Sequence, residues 1–121
     1  MHATLNEQNL RYMDAAHVVH PNGTLEGLEV QTREAQPLGR IGGVLLEPAR
    51  RKVRFFVVEC AALLSRRRYL VPADRGATLD AEKRTIHIDI DPRAVRRFDP
   101  RTVPLFSDQD LLDAVFATSA A

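Results

Sequence analysis

Between Leu38 and Cys60 the hydrophobic positions fall in two runs. Leu38, Ile41, Val44 and Leu46 precede the polar stretch Pro48-Ala49-Arg50-Arg51, and Val53, Phe55, Phe56, Val57 and Val58 follow it. Runs rich in β-branched and aromatic residues, joined by turn formers, predict a long β-hairpin. Ile41 and Val44 are three apart, so pointing both inward needs one extra residue, and Gly42-Gly43 is where a β-bulge fits. Side chains alternate across a strand, which puts Val53, Phe55 and Val57 on one face of the return strand and Arg54, Phe56 and Val58 on the other. With the first set inward, Phe56 and Val58 point outward together with Leu45 and need a cover. Two covers are expected: a C-terminal helix laying Leu111, Leu112, Val115 and Phe116 over them, and a second subunit across a two-fold interface.

The flanking pattern predicts further strands and two helical ends. Thr4 and Glu7 have capping-box spacing, and Leu5, Tyr12 and Met13 could share a face, which predicts a short helix within residues 1–16. Pro21-Asn22-Gly23 reads as a hinge. Leu25 to Thr32 reads as a strand with Leu28 and Val30 inward, returned to Leu38 by a polar turn from Arg33 to Pro37. Ala61 to Ser65 reads as a loop, with Leu63 and Leu64 open to solvent. Arg66 to Pro72 reads as a strand that the proline ends. From Thr85 to Asp91, Ile86, Ile88 and Ile90 alternate with His87, Asp89 and Asp91, the pattern of a half-buried strand. Beyond it the chain is basic and broken by Pro92, Pro100 and Pro104, until Ser107, with Asp110 three residues on, offers the N-cap of a helix over 107–117. Together these predict an all-β fold, a small antiparallel barrel over 25–91, with short helical extensions over 1–24 and 92–121.

Length and charge narrow the possibilities. A domain of 121 residues buries about 65% of the surface of its unfolded chain, enough for one core. Cys60 is the only cysteine, so no internal disulfide forms, and at the end of an apolar strand it reads as a small packed hydrophobe. Seventeen basic residues against sixteen acidic ones leave a net charge of +1, which gives no global drive toward nucleic acid or anionic lipid. No apolar run approaches the roughly 20 residues of a membrane span, and no signal pattern opens the chain. A cytoplasmic protein is the expectation.

The hairpin and its surroundings resemble a known family. Leu28-Glu29-Val30, Leu38-Gly39-Arg40-Ile41, Val44 to Pro48, Val53 to Glu59 and Tyr69-Leu70-Val71-Pro72 together resemble the PRC-barrel domain. That small β-barrel is found in the cytoplasmic part of the photosynthetic reaction centre H subunit and in the ribosome maturation factor. The resemblance covers about Leu25 to Asp91. It implies a stand-alone, non-enzymatic interaction or assembly module without a cofactor, and neither a membrane helix nor a second barrel is evident here. The partner does not carry over; a homodimer and a further protein partner are expected.

Candidate chemistry is sparse. His87, Asp89 and Asp91 are metal-ligand types on one strand face, but alternate residues on a flat strand sit about 7 Å apart and do not converge on an ion. His17 and His20 lack a supporting motif, Gly39, Gly42 and Gly43 match no phosphate-loop pattern, and Ser65 and Ser107 have no partner for nucleophilic catalysis. The expectation is no enzyme, no metal and no cofactor, with a small-ligand or metal-binding barrel as a remote alternative. Arg50, Arg51, Arg54, Arg66 and Arg68 could instead form a basic patch for RNA phosphates, as in a ribosome-assembly accessory. With few aromatics and sixteen acids, a solvated, salt-bridged surface is favoured over RNA.

Overall fold

The computed structural model describes residues 9–20, 23–62 and 65–112. The predicted hairpin is its centre: β5 (Pro37–Glu47) and β6 (Lys52–Ala62) run antiparallel through a 3-10 turn at Pro48–Arg50, where Arg51 takes the left-handed conformation. β7 (Ser65–Pro72) returns along β6, so the strands reach further into the expected Ala61–Ser65 loop than its composition suggests. Leu63 and Leu64 lie outside the described residues.

On the other edge of β5, two strands share its length. β4 (Glu29–Thr32) pairs with the first half, and β1 (Arg11–Asp14) pairs with Gly43 to Leu46. β1 corrects the expected helix at Tyr12 and Met13; the capping-box residues Thr4 and Glu7 lie outside the described residues. The physical reason is tertiary: a four-residue segment gains its hydrogen bonds from the open edge of β5, which outweighs a weak local preference. A short ribbon of β2 (Val19–His20) and β3 (Gly23–Thr24) flanks the sheet.

β8 (Thr78–Asp80) and β9 (Thr85–Ile88) add to the far side of β4, and β10 (Arg96–Arg97) adds to β7. β9 lies parallel to β4, which corrects the expectation of a purely antiparallel sheet. The chain reaches β9 after passing through β5 to β8, so the direction of its pairing is set by how the sheet wraps and not by a local turn. The eight-stranded sheet runs β10-β7-β6-β5-β4-β9-β8 with β1 on β5, and among the described residues its two ends are not hydrogen-bonded into a closed barrel. Both β1 and β10 fall outside the 25–91 span.

The sheet has apolar side chains on both faces. Its inner cluster contains Val30, Ile41, Val44, Phe56, Val58 and Ile88 among others. The register slips between Ile41 and Gly43, so Gly42 is the extra residue and both Ile41 and Val44 face this cluster, as their spacing predicts. A second slip sets Leu46 opposite Val53 but Leu45 opposite Phe55, making Arg54 an extra residue on β6. This bulge reverses the expected faces of the return strand. Phe56 and Val58 point inward with Val53, while Phe55, Val57, Leu45 and Leu70 form the outer cluster.

Candidate interaction site

The outer face divides into an apolar half and a charged half. The apolar half is covered by the chain itself. From β10 the chain runs through Phe98 and a 3-10 turn at Pro100–Thr102 to Val103, which is buried against Leu45, Val57 and Leu70. It then meets β1: Tyr12 N–H donates to the Pro104 carbonyl at 2.8 Å, and Phe106 N–H donates to the Tyr12 carbonyl at 2.9 Å. This strap crosses from the edge of β7 to the edge of β1. Leu10 and Tyr12 complete the cover.

The strap corrects the expected cover. Leu45 is buried under Val103 and its neighbours, and Leu111 and Leu112, at the start of the helix, are 54% and 53% exposed. Val115 and Phe116 lie outside the described residues. The helix start itself is as expected, since Ser107 Oγ accepts from Asp110 N–H and Asp110 Oδ2 accepts from Ser107 N–H at 2.8 Å, a reciprocal cap. Asp110 Oδ1 also receives Arg11 Nε at 2.9 Å, which ties the helix start to β1.

The charged half begins where the strap ends. Glu29, Arg40, Glu59 and Arg68 occupy matching register positions on β4, β5, β6 and β7, so charges alternate in one row across four strands. Asp14, Glu26, Arg40 and Glu59 border a hollow of about 350 Å³ on one side of this row. On the other side, Arg67, Arg68, Arg97 and Arg101 line an open groove of about 540 Å³ with Phe98 and Asp99. Burial, with the Asp14 and Glu59 carboxylates nearby, holds the Tyr12 phenol above its ordinary pKa, and Arg68 offsets part of that effect.

A repeated tripeptide shapes the groove. In Asp91-Pro92-Arg93 and Asp99-Pro100-Arg101 the aspartate accepts the backbone N–H two residues on, at 2.9 and 3.0 Å, and also pairs with that arginine's guanidinium. Proline fixes the intervening φ, and an Asx turn of this kind brings the two side chains together. Hydrogen bonds from Arg101 hold the Asp99 carboxyl below its usual pKa, and Arg93 acts likewise on Asp91, there chiefly through its backbone N–H. The signal for this motif was the Asp-Pro-Arg sequence occurring twice, and Arg97 and Arg101 were not among the expected patch residues.

The expected basic patch is not brought together. Arg50 and Arg54 sit at the β5–β6 turn against Glu47, at 3.2 and 3.9 Å, beside the exposed Arg51. Arg68 pairs in register with Glu59, five residues along β6 from Arg54, or roughly 17 Å. The Arg66 side chain lies outside the described residues. Asp89 is 3.9 Å from Arg33, and Asp91 is engaged by Arg93, so the two aspartates turn to different neighbours. Among the described residues no group of three His, Cys, Asp or Glu side chains is placed to hold a metal, and no helix is long and apolar enough to cross a membrane. The Cys60 thiol donates to the Leu38 carbonyl, and burial raises its pKa, which matches a packed thiol and disfavours a thiolate.

Comparison with known families decides the relationship. The sequence model of the PRC-barrel domain matches residues 21–95. The chain belongs to the PRC-barrel family. No curated protein matches it. As a PRC-barrel protein it has a fold that serves as a generic interaction module and is typically non-catalytic. The match contains β3 to β9 and leaves out β1, β10 and the strap.

Proposed function

We propose that this PRC-barrel protein is a non-enzymatic docking module that binds a partner protein through the charged half of its outer face. The observation that carries this reading is the groove along β7 and β10, where the arginines outnumber the acids that neutralise them. The apolar half of the same face is occupied by the strap, which leaves the charged half as the accessible recognition surface. The test compares proteins that co-purify with the full chain and with an Arg67→Glu/Arg97→Glu variant, at low and high salt. A defined protein retained by the wild type at low salt and lost in the variant is expected, because exposed charge contacts are screened by salt. A set of co-purifying proteins unchanged by the substitutions overturns the reading.

A second reading, self-association, is supported by the exposure of Leu105, Leu111 and Leu112, which are 71%, 54% and 53% accessible. Light scattering across a wide concentration range tests it. A dimer that Leu111→Ser/Leu112→Ser dissociates supports self-association, and a monomer throughout overturns it.

A further inference from the structure

The groove along β7 and β10 holds positive charge that its own acids do not satisfy. Asp99 is fully engaged by Arg101, with Nε to Oδ1 at 3.1 Å and Nη2 to Oδ2 at 2.9 Å. Glu59 is 3.8 Å from Arg68 Nε, beyond hydrogen-bond reach, and that buried Nε has no hydrogen-bond partner. Arg67 and Arg97 make no ion pair among the described residues. Among the described residues two guanidinium groups are therefore unpaired and a third is only half satisfied.

We infer that this groove docks an acidic peptide segment, a run of Asp and Glu side chains on a partner protein. The inference rests on the docking-module reading and names the chemistry of its partner. Asp99 already shows how a carboxylate sits here: a planar guanidinium takes both of its oxygens, the geometry that distinguishes arginine from lysine as a carboxylate receptor. β10 ends the strand order of the sheet, so among the described residues no strand pairs with its outer edge, and an extended chain can lie alongside with its carboxylates directed at the arginines. Single-stranded nucleic acid fits less well. Its binding relies on aromatic rings that stack with bases, whereas Phe98 is packed into the outer apolar cluster and Tyr69, though in register with Arg97, is not among the residues that line the groove. The chain as a whole carries a charge of only +1.

Asp99 then acts as an internal competitor for Arg101. Replacing it with asparagine frees that guanidinium for an incoming carboxylate. This gives the inference a gain of binding to test as well as a loss.

The test is fluorescence anisotropy on the full chain with a labelled oligoglutamate and, in parallel, a labelled oligouridylate of equal charge. Arg67→Glu/Arg97→Glu is expected to weaken oligoglutamate binding by roughly tenfold or more, and Asp99→Asn to tighten it about threefold. Both arginines are exposed, and an unchanged melting temperature shows that the variant remains folded. Three results overturn the inference: no oligoglutamate binding, binding indifferent to these substitutions, or tighter binding of oligouridylate through the same arginines. If oligoglutamate fails but a protein still co-purifies with the wild type and not with Arg67→Glu/Arg97→Glu, only the acidic partner is lost. If co-purification fails too, the docking-module reading falls with it.

Discussion

Arg11 and Asp110, 99 residues apart in sequence, meet at 2.9 Å. The same carboxylate caps the C-terminal helix through Ser107, so one side chain fastens β1, the strap and the helix start to each other. Asp110→Ala is expected to cost about 2 kcal/mol, combining the loss of a cap with the loss of a part-buried charged hydrogen bond. Ser107→Ala should cost about 1 kcal/mol. Denaturant titration measures both, and hydrogen exchange at the Phe106 amide, which donates to Tyr12, should quicken in Asp110→Ala. A midpoint unchanged by Asp110→Ala would show that the strap is held by Val103 and its apolar neighbours alone.

The bulge at Arg54 sets which residues of β6 face inward. Arg54→Ala keeps the extra residue and should cost less than about 0.5 kcal/mol, because the pairing with Glu47 is loose and largely exposed. Deleting Arg54 removes the extra residue and makes Phe55 the direct neighbour of Val53, so Leu46 stays opposite Val53, Leu45 stays opposite Phe55, and Phe56 and Val58 still face inward. The deletion is expected to keep a cooperative melt, as read by near-ultraviolet circular dichroism. Loss of the cooperative melt would mean that the bulge itself, and not only the phase it sets, is needed for the bend of β6.

Gly39 and Gly42 sit in the same strand and predict different outcomes. At Gly39, with φ at +141°, an added Cβ would lie 2.5 Å from the Glu59 backbone oxygen, whereas at Gly42 it would meet the Glu59 carboxylate. A carboxylate at the end of a flexible side chain can swing away and a backbone carbonyl in a paired strand cannot. Gly39→Ala should therefore destabilise by about 2–3 kcal/mol and Gly42→Ala by no more than about 1 kcal/mol. Equal midpoints in urea would contradict this ordering.

The raised pKa of Tyr12 gives a pH dependence with a defined sign. The folded chain holds the phenolic proton more tightly than the unfolded chain, whose tyrosine value is 10.0. Stability is therefore independent of this group below that value and falls as pH rises above it, where unfolding releases the proton. Tyr12→Phe should flatten that alkaline decline relative to wild type in denaturant titrations. A decline of the same steepness in both proteins would assign it to other groups.

How far the sequence revealed this structure depended on the kind of signal. The bulge at Gly42 was legible because glycine and a three-residue apolar spacing pointed to the same place. Val53 and Phe56 have that spacing too, but in Val53-Arg54-Phe55-Phe56-Val57-Val58 both phases of the alternation are apolar, so nothing local distinguishes them. β1 was hidden because Arg11-Tyr12-Met13-Asp14 has no strand pattern of its own and is extended only by pairing with β5. The parallel pairing of β4 with β9 was likewise a property of the wrapped sheet. The groove was half legible, since its arginines were visible as charge while their assembly depended on β10 and on a tripeptide whose repetition was the available clue.

The strap also bears on how this protein is made. Leu45, Val57 and Leu70 belong to strands that can pair as soon as β7 has been synthesised, but Val103, which closes over them, comes about thirty residues after Leu70. During that interval the growing chain presents a row of apolar side chains to its surroundings, a state prone to misassembly and attractive to chaperones. Folding of the sheet and protection of its outer face are thus separate events in time.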